Sequence, residues 1–243
     1  MPDATTVAVS TAGDPVSVAG VLLAAGGSRR LGSPKQLLTM HGVTLVERAA
    51  RQLLDAGCSP VFVVVGANSA IIRDAVSMLP VECIENSRWE RGMGTSIAAA
   101  VQSLTDVRFA QTSAVLIATC DMPTVTVAHL QSLLAESNVG AQRVASAYAG
   151  PDGSPERGPE RGPERGPERG PERGPERGPV RGIPAVLPRA DWPDLAALDG
   201  DQGARALLRD AGTMTVSLPN GRFDLDTPSD VAAWRMAHGA SPM

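Results

Sequence analysis

Between Val21 and Gln36 the chain reads VLLAAGGSRRLGSPKQ, an apolar run leading into a glycine-rich, doubly basic loop that closes on a lysine. That order of parts describes a nucleoside triphosphate site. Ala24 to Gly27 let the backbone approach a ligand with little Cβ obstruction, so backbone N–H groups meet phosphate oxygens while Arg29, Arg30 and Lys35 supply positive charge. A Walker loop needs GxxxxGK[ST] and a dinucleotide fingerprint needs GxGxxG; Gly26, Gly27 and Gly32 match neither. Pro34 resists a helix running through Ser33, which predicts a long, irregular loop. Glycine and arginine also gather in ordinary surface turns, and pattern alone leaves that reading open. Later in the chain a continuous apolar stretch, Ala114 to Ala118, leads straight into Thr119, Cys120 and Asp121. In a parallel sheet it delivers a carboxylate to the same rim as Ala24 to Gly27.

These residues resemble the signature of a family. LAAGGSRRLGSPKQLL is similar to the LAAGxSxRxGxxK motif of the molybdenum cofactor nucleotidyltransferase-like family, within the larger group of sugar-nucleotide and cofactor nucleotidyltransferases. NSRWERGMGTS at Asn86 to Ser96 resembles that family's N-x-x-W-x-x-GM segment, and TCDMP at Thr119 to Pro123 resembles its metal-binding segment. GDQGARALL at Gly200 to Leu208 resembles a late block, and DLDTPSD at Asp224 to Asp230 resembles the closing aspartate motif. The segments fall in family order from about Val18 to Trp234, apart from one insertion.

The resemblance implies attack by a terminal phosphate of an acceptor on the α-phosphorus of a nucleoside triphosphate, with pyrophosphate leaving. Both reactants are anionic, so a divalent cation is expected, Mg²⁺ for preference, because it takes carboxylate and phosphate oxygens and keeps several waters. Asp121 is the first candidate ligand and Asp226 the second. Asp121 could instead cap a helix after Pro123, and Asp226, Thr227 and Pro228 also make a good helix start; both alternatives stay open. Asp224 is expected to face away from Asp226, as a strand neighbour. Leu23, Ala24, Ala25, Gly26, Gly27, Ser28, Arg30 and Lys35 are the expected nucleotide contacts, with Arg30 on the β and γ phosphates. Lys35 is expected on the α-phosphate, where charge builds in the transition state, so Arg30, Lys35 and Asp121 form the catalytic set. A phosphate monoester is already ionised at neutral pH, so no base is required. His41, His129 and His238 are accordingly expected as surface or capping residues.

On the acceptor side the resemblance implies Asn86, Trp89, Gly92, Met93, Gly94 and Ser96, with Trp89 either offering a flat face to a pterin or anchoring the core. Guanylyl-transferring relatives read LAGG where this chain has Leu23, Ala24, Ala25 and Gly26, and Ala25 is similar to the cytidylyltransferases. CTP is therefore expected over GTP, although one carbon shifts recognition by only about 1–3 kcal/mol. The acceptor is then molybdopterin, and a molybdoenzyme or its chaperone receives the product. Two other readings compete: a nucleotidyltransferase, GTP-dependent or not, for another cofactor, sugar or polyol phosphate, and a noncatalytic nucleotide-binding protein that delivers cofactor. Intact Arg30, Lys35, Asp121 and Asp226 speak against the last.

The elements that must position these residues alternate. Leu45, Val46, Ala49, Ala50, Leu53 and Leu54 recur on one helical face, with Gly57 where a C-terminal cap belongs. Val61 to Val65 reads as a buried parallel strand. Helices are predicted over 70–78, 96–104, 129–134, 204–208 and from Ser229, and strands over 81–84, 143–148, 185–187 and 214–218. The expected fold is α/β, a three-layer, doubly wound, mostly parallel sheet of the Rossmann-like nucleotidyltransferase type, with ligands at the strands' carboxyl ends.

One domain over 18–238 is expected, preceded by a flexible tail, 1–17, and interrupted by a low-complexity loop, 151–181. That loop reads PERG six times and then PVRG. A proline in every fourth place and no apolar position in the repeating unit predict disorder, since nothing offsets the cost of ordering. Across 243 residues the net charge is −4 and aromatic residues make up 3%, which argues against a nucleic-acid groove. Cys58, Cys83 and Cys120 lack metal-ligand spacing and are odd in number, as expected of reduced core thiols in a cytoplasmic protein. No apolar stretch reaches membrane-spanning length, and residues 1–17 lack a basic region followed by an apolar block.

Overall fold

Five strand-forming residues in a row, Val61–Val65, are each at most 2% exposed, as a parallel strand covered on both faces must be. The structure is a computed structural model that describes residues 17–149, 180–219, 221 and 223–238. Most of the expected tail, and the PERG repeat up to residue 179, lie outside the described residues. The edges of both expectations move. Ser17 belongs to the first strand, its N–H donating to the Gln111 carbonyl at 3.2 Å. Val180 and Arg181 belong to a strand as well, because they find ladder partners in Tyr148 and Ala147.

In chain order the elements are β1 (Ser17–Leu23), a small hairpin of β2 (Thr39–Met40) and β3 (Val43–Thr44), α1 (Leu45–Asp55), β4 (Val61–Val65), α2 (Ser69–Ala75), β5 (Glu82–Glu85) and α3 (Met93–Ser103). There follow β6 (Thr112–Thr119), α4 (Val127–Glu136), β7 (Val144–Ala149), β8 (Val180–Pro188), α5 (Trp192–Ala196), α6 (Arg205–Leu208), β9 (Met214–Pro219) and α7 (Pro228–His238). Seven strands form one sheet in the order β5-β4-β1-β6-β8-β7-β9. Neighbours pair in parallel except β8, which runs antiparallel to both β6 and β7.

Alternation along β1 divides the interior into two layers. Val18 and Leu22 pack with α1, α2 and α4 on one face, while Ala19, Val21 and Leu23 pack with α3 and α5 on the other. Burying one Leu or Val of this kind contributes roughly 1.5–3 kcal/mol, so the central strands are firmly placed. This is the expected three-layer, mostly parallel α/β fold.

Helix α1 shows how local sequence fixes an element. Thr44 caps its start, accepting from the Glu47 N–H at 3.3 Å. At its end Gly57 adopts φ +98°, the Gly57 N–H reaches the Leu54 carbonyl at 2.9 Å and the Cys58 N–H reaches Leu53 at 3.1 Å. That pair of bonds is a Schellman closure, which a side chain at residue 57 would strain.

Candidate active site

Strand β1 delivers the chain to the carboxyl rim, where Ala24 to Pro34 form an irregular loop ending in a short 3-10 turn, Lys35–Leu37. Buried Gln36 fixes the loop's shape. Its amide nitrogen donates to the Ala24 carbonyl at 3.0 Å and the Gly26 carbonyl at 2.7 Å, and its oxygen accepts from Ser28 Oγ at 3.3 Å. Ser28, at φ +50°, accepts at Oγ from the Lys35 N–H (3.0 Å), and its carbonyl accepts from the N–H groups of Leu31 and Gly32. Gln36 was not among the expected contacts; the signal was a polar residue beside the lysine, which sequence alone does not mark as buried.

Trp89 walls one side of this loop. A Cβ on Gly66 would meet the Trp89 side chain at 2.7 Å and one on Gly27 at 3.1 Å, while nothing lies within 4 Å of the corresponding point at Gly26. Arg29 is exposed, pairs with Glu90 at 3.0 Å and sits 5.9 Å from the Trp89 ring centroid. Trp89 therefore packs on the backbone at Gly27 and Gly66.

Two carboxylates from distant parts of the chain meet the loop's cations. Lys35 Nζ lies 2.5 Å from Asp121 Oδ2 and 2.6 Å from Asp226 Oδ1, and an Arg30 guanidinium nitrogen lies 2.5 Å from Asp226 Oδ2. The Leu225 N–H donates to the Asp121 carbonyl at 3.0 Å, which ties the segment before α7 to the end of β6. Burial works against the Lys35 charge, but Asp121 and then Asp226 outweigh it and raise the pKa of the ammonium. Burial likewise works against the Asp226 charge, yet Lys35 and Arg30 hold that carboxyl below its usual value. Neither aspartate caps a helix. Thr126 caps α4 by accepting from the His129 N–H, and Thr227 with Asp230 closes the start of α7 as a reciprocal capping box with Pro228 at its first position.

Asp224 differs from expectation. Residues 223–226 are not a strand, Leu225 is buried, and Asp224 is exposed on the same cleft as Asp121. Residues two apart in an extended segment fall on one side, so the neighbour turned inward is Leu225. His129 also differs: it is buried, with Nε2 2.8 Å from Ser146 Oγ, which itself donates to the Pro184 carbonyl at 2.6 Å. His41 occupies the exposed β2–β3 turn at φ +52°.

The expected acceptor residues separate into two groups. Asn86 and Ser96 are buried against each other: the Asn86 amide donates to Thr95 Oγ1 at 2.9 Å and Ser96 Oγ at 3.0 Å, and its oxygen accepts from the Arg88 N–H. Gly94 is buried against the Gly200 carbonyl, and Gly92 lies against the same 199–201 turn, which Arg91 holds by an ion pair to Asp199. These residues shape the loop from within. Met93 alone of the six lines a cleft of about 790 Å³ that runs from Asp121 past Tyr148 and Ile183. Arg181, Arg205 and Arg209 also line it. The two arginines near α6 went unnoticed in the sequence, although their spacing of four within GARALLR places them on one helical face.

Among the described residues no group of three or more His, Cys, Asp or Glu side chains is placed to hold a metal ion. The pair Asp121 and Asp226 still fits Mg²⁺, which takes one or two carboxylates and completes its shell with water and phosphate. One ammonium within hydrogen-bond reach of both shows that they converge on a single cationic point. Among the described residues no helix is long and apolar enough to cross a membrane.

Comparison with known proteins gives a consistent family. The profile of the MobA-like NTP transferase domain matches residues 20–215. Nicotine blue oxidoreductase of Paenarthrobacter nicotinovorans is 38% identical over 131 residues, 54% of this chain and 61% of that protein. A probable molybdenum cofactor guanylyltransferase of Bacillus cytotoxicus is 30% identical over 109 residues, 45% of this chain and 51% of that protein. The matches thus span less than two thirds of either relative. The crystal structure of Rv0371c from Mycobacterium tuberculosis superposes with a TM-score of 0.69 at 22% identity, covering 90% of this chain and 96% of that one. Its manganese complex superposes with a TM-score of 0.62 at 21% identity, covering 89% and 97%.

Proposed function

Because the chain belongs to the family of MobA-like NTP transferase domains, we propose that it transfers a nucleoside monophosphate, CMP from CTP, to the phosphate of molybdopterin and releases pyrophosphate. The observation that carries this is the meeting of Lys35 with Asp121 and Asp226 beside an open Gly26. Backbone N–H groups of the loop after Ala24, whose own N–H donates to the Val64 carbonyl at 2.9 Å, face the triphosphate. Arg30 binds the β and γ phosphates and Lys35 the α-phosphate, each exchanging a carboxylate oxygen for a phosphate oxygen. An oxygen of the acceptor phosphate bonds to the α-phosphorus as the bond to the pyrophosphate oxygen breaks. No side chain removes a proton, since the nucleophile is already ionised. Asp121 and Asp226 would hold Mg²⁺, which when bound offsets the mutual repulsion of the two anionic substrates.

CTP over GTP rests on Ala25. Its methyl is buried in the core and its carbonyl accepts from the Ala67 N–H at 3.0 Å, so its influence on base choice passes through the placement of the 25–27 backbone. The acceptor rests on the family and on the cleft beside Asp121. The domain boundaries 18–238 and the site assignments, with Asn86 and Ser96 now shaping the acceptor loop, belong to the same proposal. Pyrophosphate release from CTP and from GTP, each with purified molybdopterin, tests it. CTP is expected to support release; release from neither, with metal supplied, removes the proposal.

The 38% identity to nicotine blue oxidoreductase favours a second reading, an oxidoreductase. Hydride transfer gives a converging lysine and two aspartates no obvious task. Oxidation of NADPH by a dye in place of pyrophosphate release would select it.

A further inference from the structure

Away from Lys35 the cleft is lined by side chains of both charges. Asp121, Asp201 and Asp224 line it, while Arg30 and Lys35 are engaged with the aspartates at the triphosphate end. A phosphate ester brought into a cleft that carboxylates line needs cations beside it. The cleft supplies them as Arg181, Arg205 and Arg209. Arg181 is committed to the fold, donating to the Asp210 carbonyl at 2.7 Å. Arg205 opens α6 and Arg209 follows its last residue, so the two guanidinium groups stand one helical turn apart. Both residues are exposed, and among the described residues neither forms an ion pair. By contrast Arg29, Arg51, Arg73, Arg91, Arg108 and Arg143 each meet a carboxylate. Ile183, Tyr148 and Leu208 give the same cleft an apolar wall for the body of the ligand.

We infer that Arg205 and Arg209 are the acceptor's phosphate-binding pair, and that they restrict the acceptor to phosphate esters carrying an apolar or flat body. Two planar, permanently charged forks suit a dianionic phosphate, and a hydroxyl or a single carboxylate leaves one of them unused. The inference rests on the nucleotidyl-transfer reading for its acceptor, but the anion site can be tested without turnover.

The probe is inorganic phosphate. The full chain is treated with phenylglyoxal, with and without phosphate, and modified arginines are mapped by mass spectrometry. Phosphate is expected to slow modification of Arg205 and Arg209 about tenfold, whereas exposed Arg88 is unaffected. Equal reactivity at Arg205 and Arg209 with and without phosphate overturns the inference. In the double variant Arg205→Gln/Arg209→Gln the KM for a phosphorylated acceptor should rise about tenfold or more while the KM for CTP stays within about twofold. Competitive inhibition by phosphate against the acceptor should disappear as well. An unchanged acceptor KM also overturns the inference. Protection by phosphate without nucleotidylation of any acceptor would leave the anion site standing and remove the transfer reading; transfer with unprotected arginines does the reverse.

Discussion

Lys35 cannot serve two carboxylates and a phosphate at once. Its ammonium lies where Asp121 and Asp226 converge, so it occupies the point that a divalent cation would take. In Lys35→Gln, Mn²⁺ measured by electron paramagnetic resonance without nucleotide should bind about tenfold more tightly than in the parent chain, a gain of about 1.4 kcal/mol. Asp121→Asn should remove turnover while leaving the circular dichroism spectrum intact, and full activity in that variant would contradict the catalytic assignment. Arg30, Lys35 and Asp121 were legible because each sits in a motif whose order along a parallel sheet brings it to one rim. Gln36 was not, since a buried glutamine and a surface one read alike until the loop closes around it. Arg205 and Arg209 were missed for a related reason: their importance lies in a cleft that only the assembled strands create.

At the scale of elements, side-chain period predicted position well and direction poorly. Helix α1, its Gly57 closure and β4 fall where apolar spacing puts them. Strand β8 was foreseen only at its buried centre, and nothing in its residues announces that it runs against its neighbours, because direction is set by connections across the sheet. Asp224 was misjudged because residues two apart were taken to face opposite ways, whereas the neighbour turned inward is Leu225. Gly66→Ala would drive a methyl group into Trp89 and should cost about 1–3 kcal/mol by denaturant titration, with weakened nucleotide binding from the displaced loop. His129, buried where α4 meets β7, has its pKa lowered by burial from the ordinary 6.5. The unfolded chain therefore takes up that proton first as pH falls through 6.5, and folded stability drops from there toward the lower folded value. Thermal midpoints between pH 7 and 5 should fall less steeply in His129→Gln than in the parent chain.

Across the whole molecule, seven strands and two apolar layers carry a site whose parts come from both ends of the chain, with Lys35 and Asp226 separated by 191 residues. The described strands flanking the repeat pair directly, Tyr148 opposite Val180. Removing Pro155 to Gly178 therefore shortens a closed loop without disturbing register, and loop-closure entropy favours the shorter form slightly. The midpoint of thermal unfolding should stay level or rise a little, and CTP turnover should persist; a large loss of either would show that the repeat supports the fold or the reaction. Tyr148 and Val180 also form part of the cleft wall, next to Ile183. A tandem array can gain or lose identical copies, and because Tyr148 and Val180 pair directly, the register of the sheet does not depend on their number.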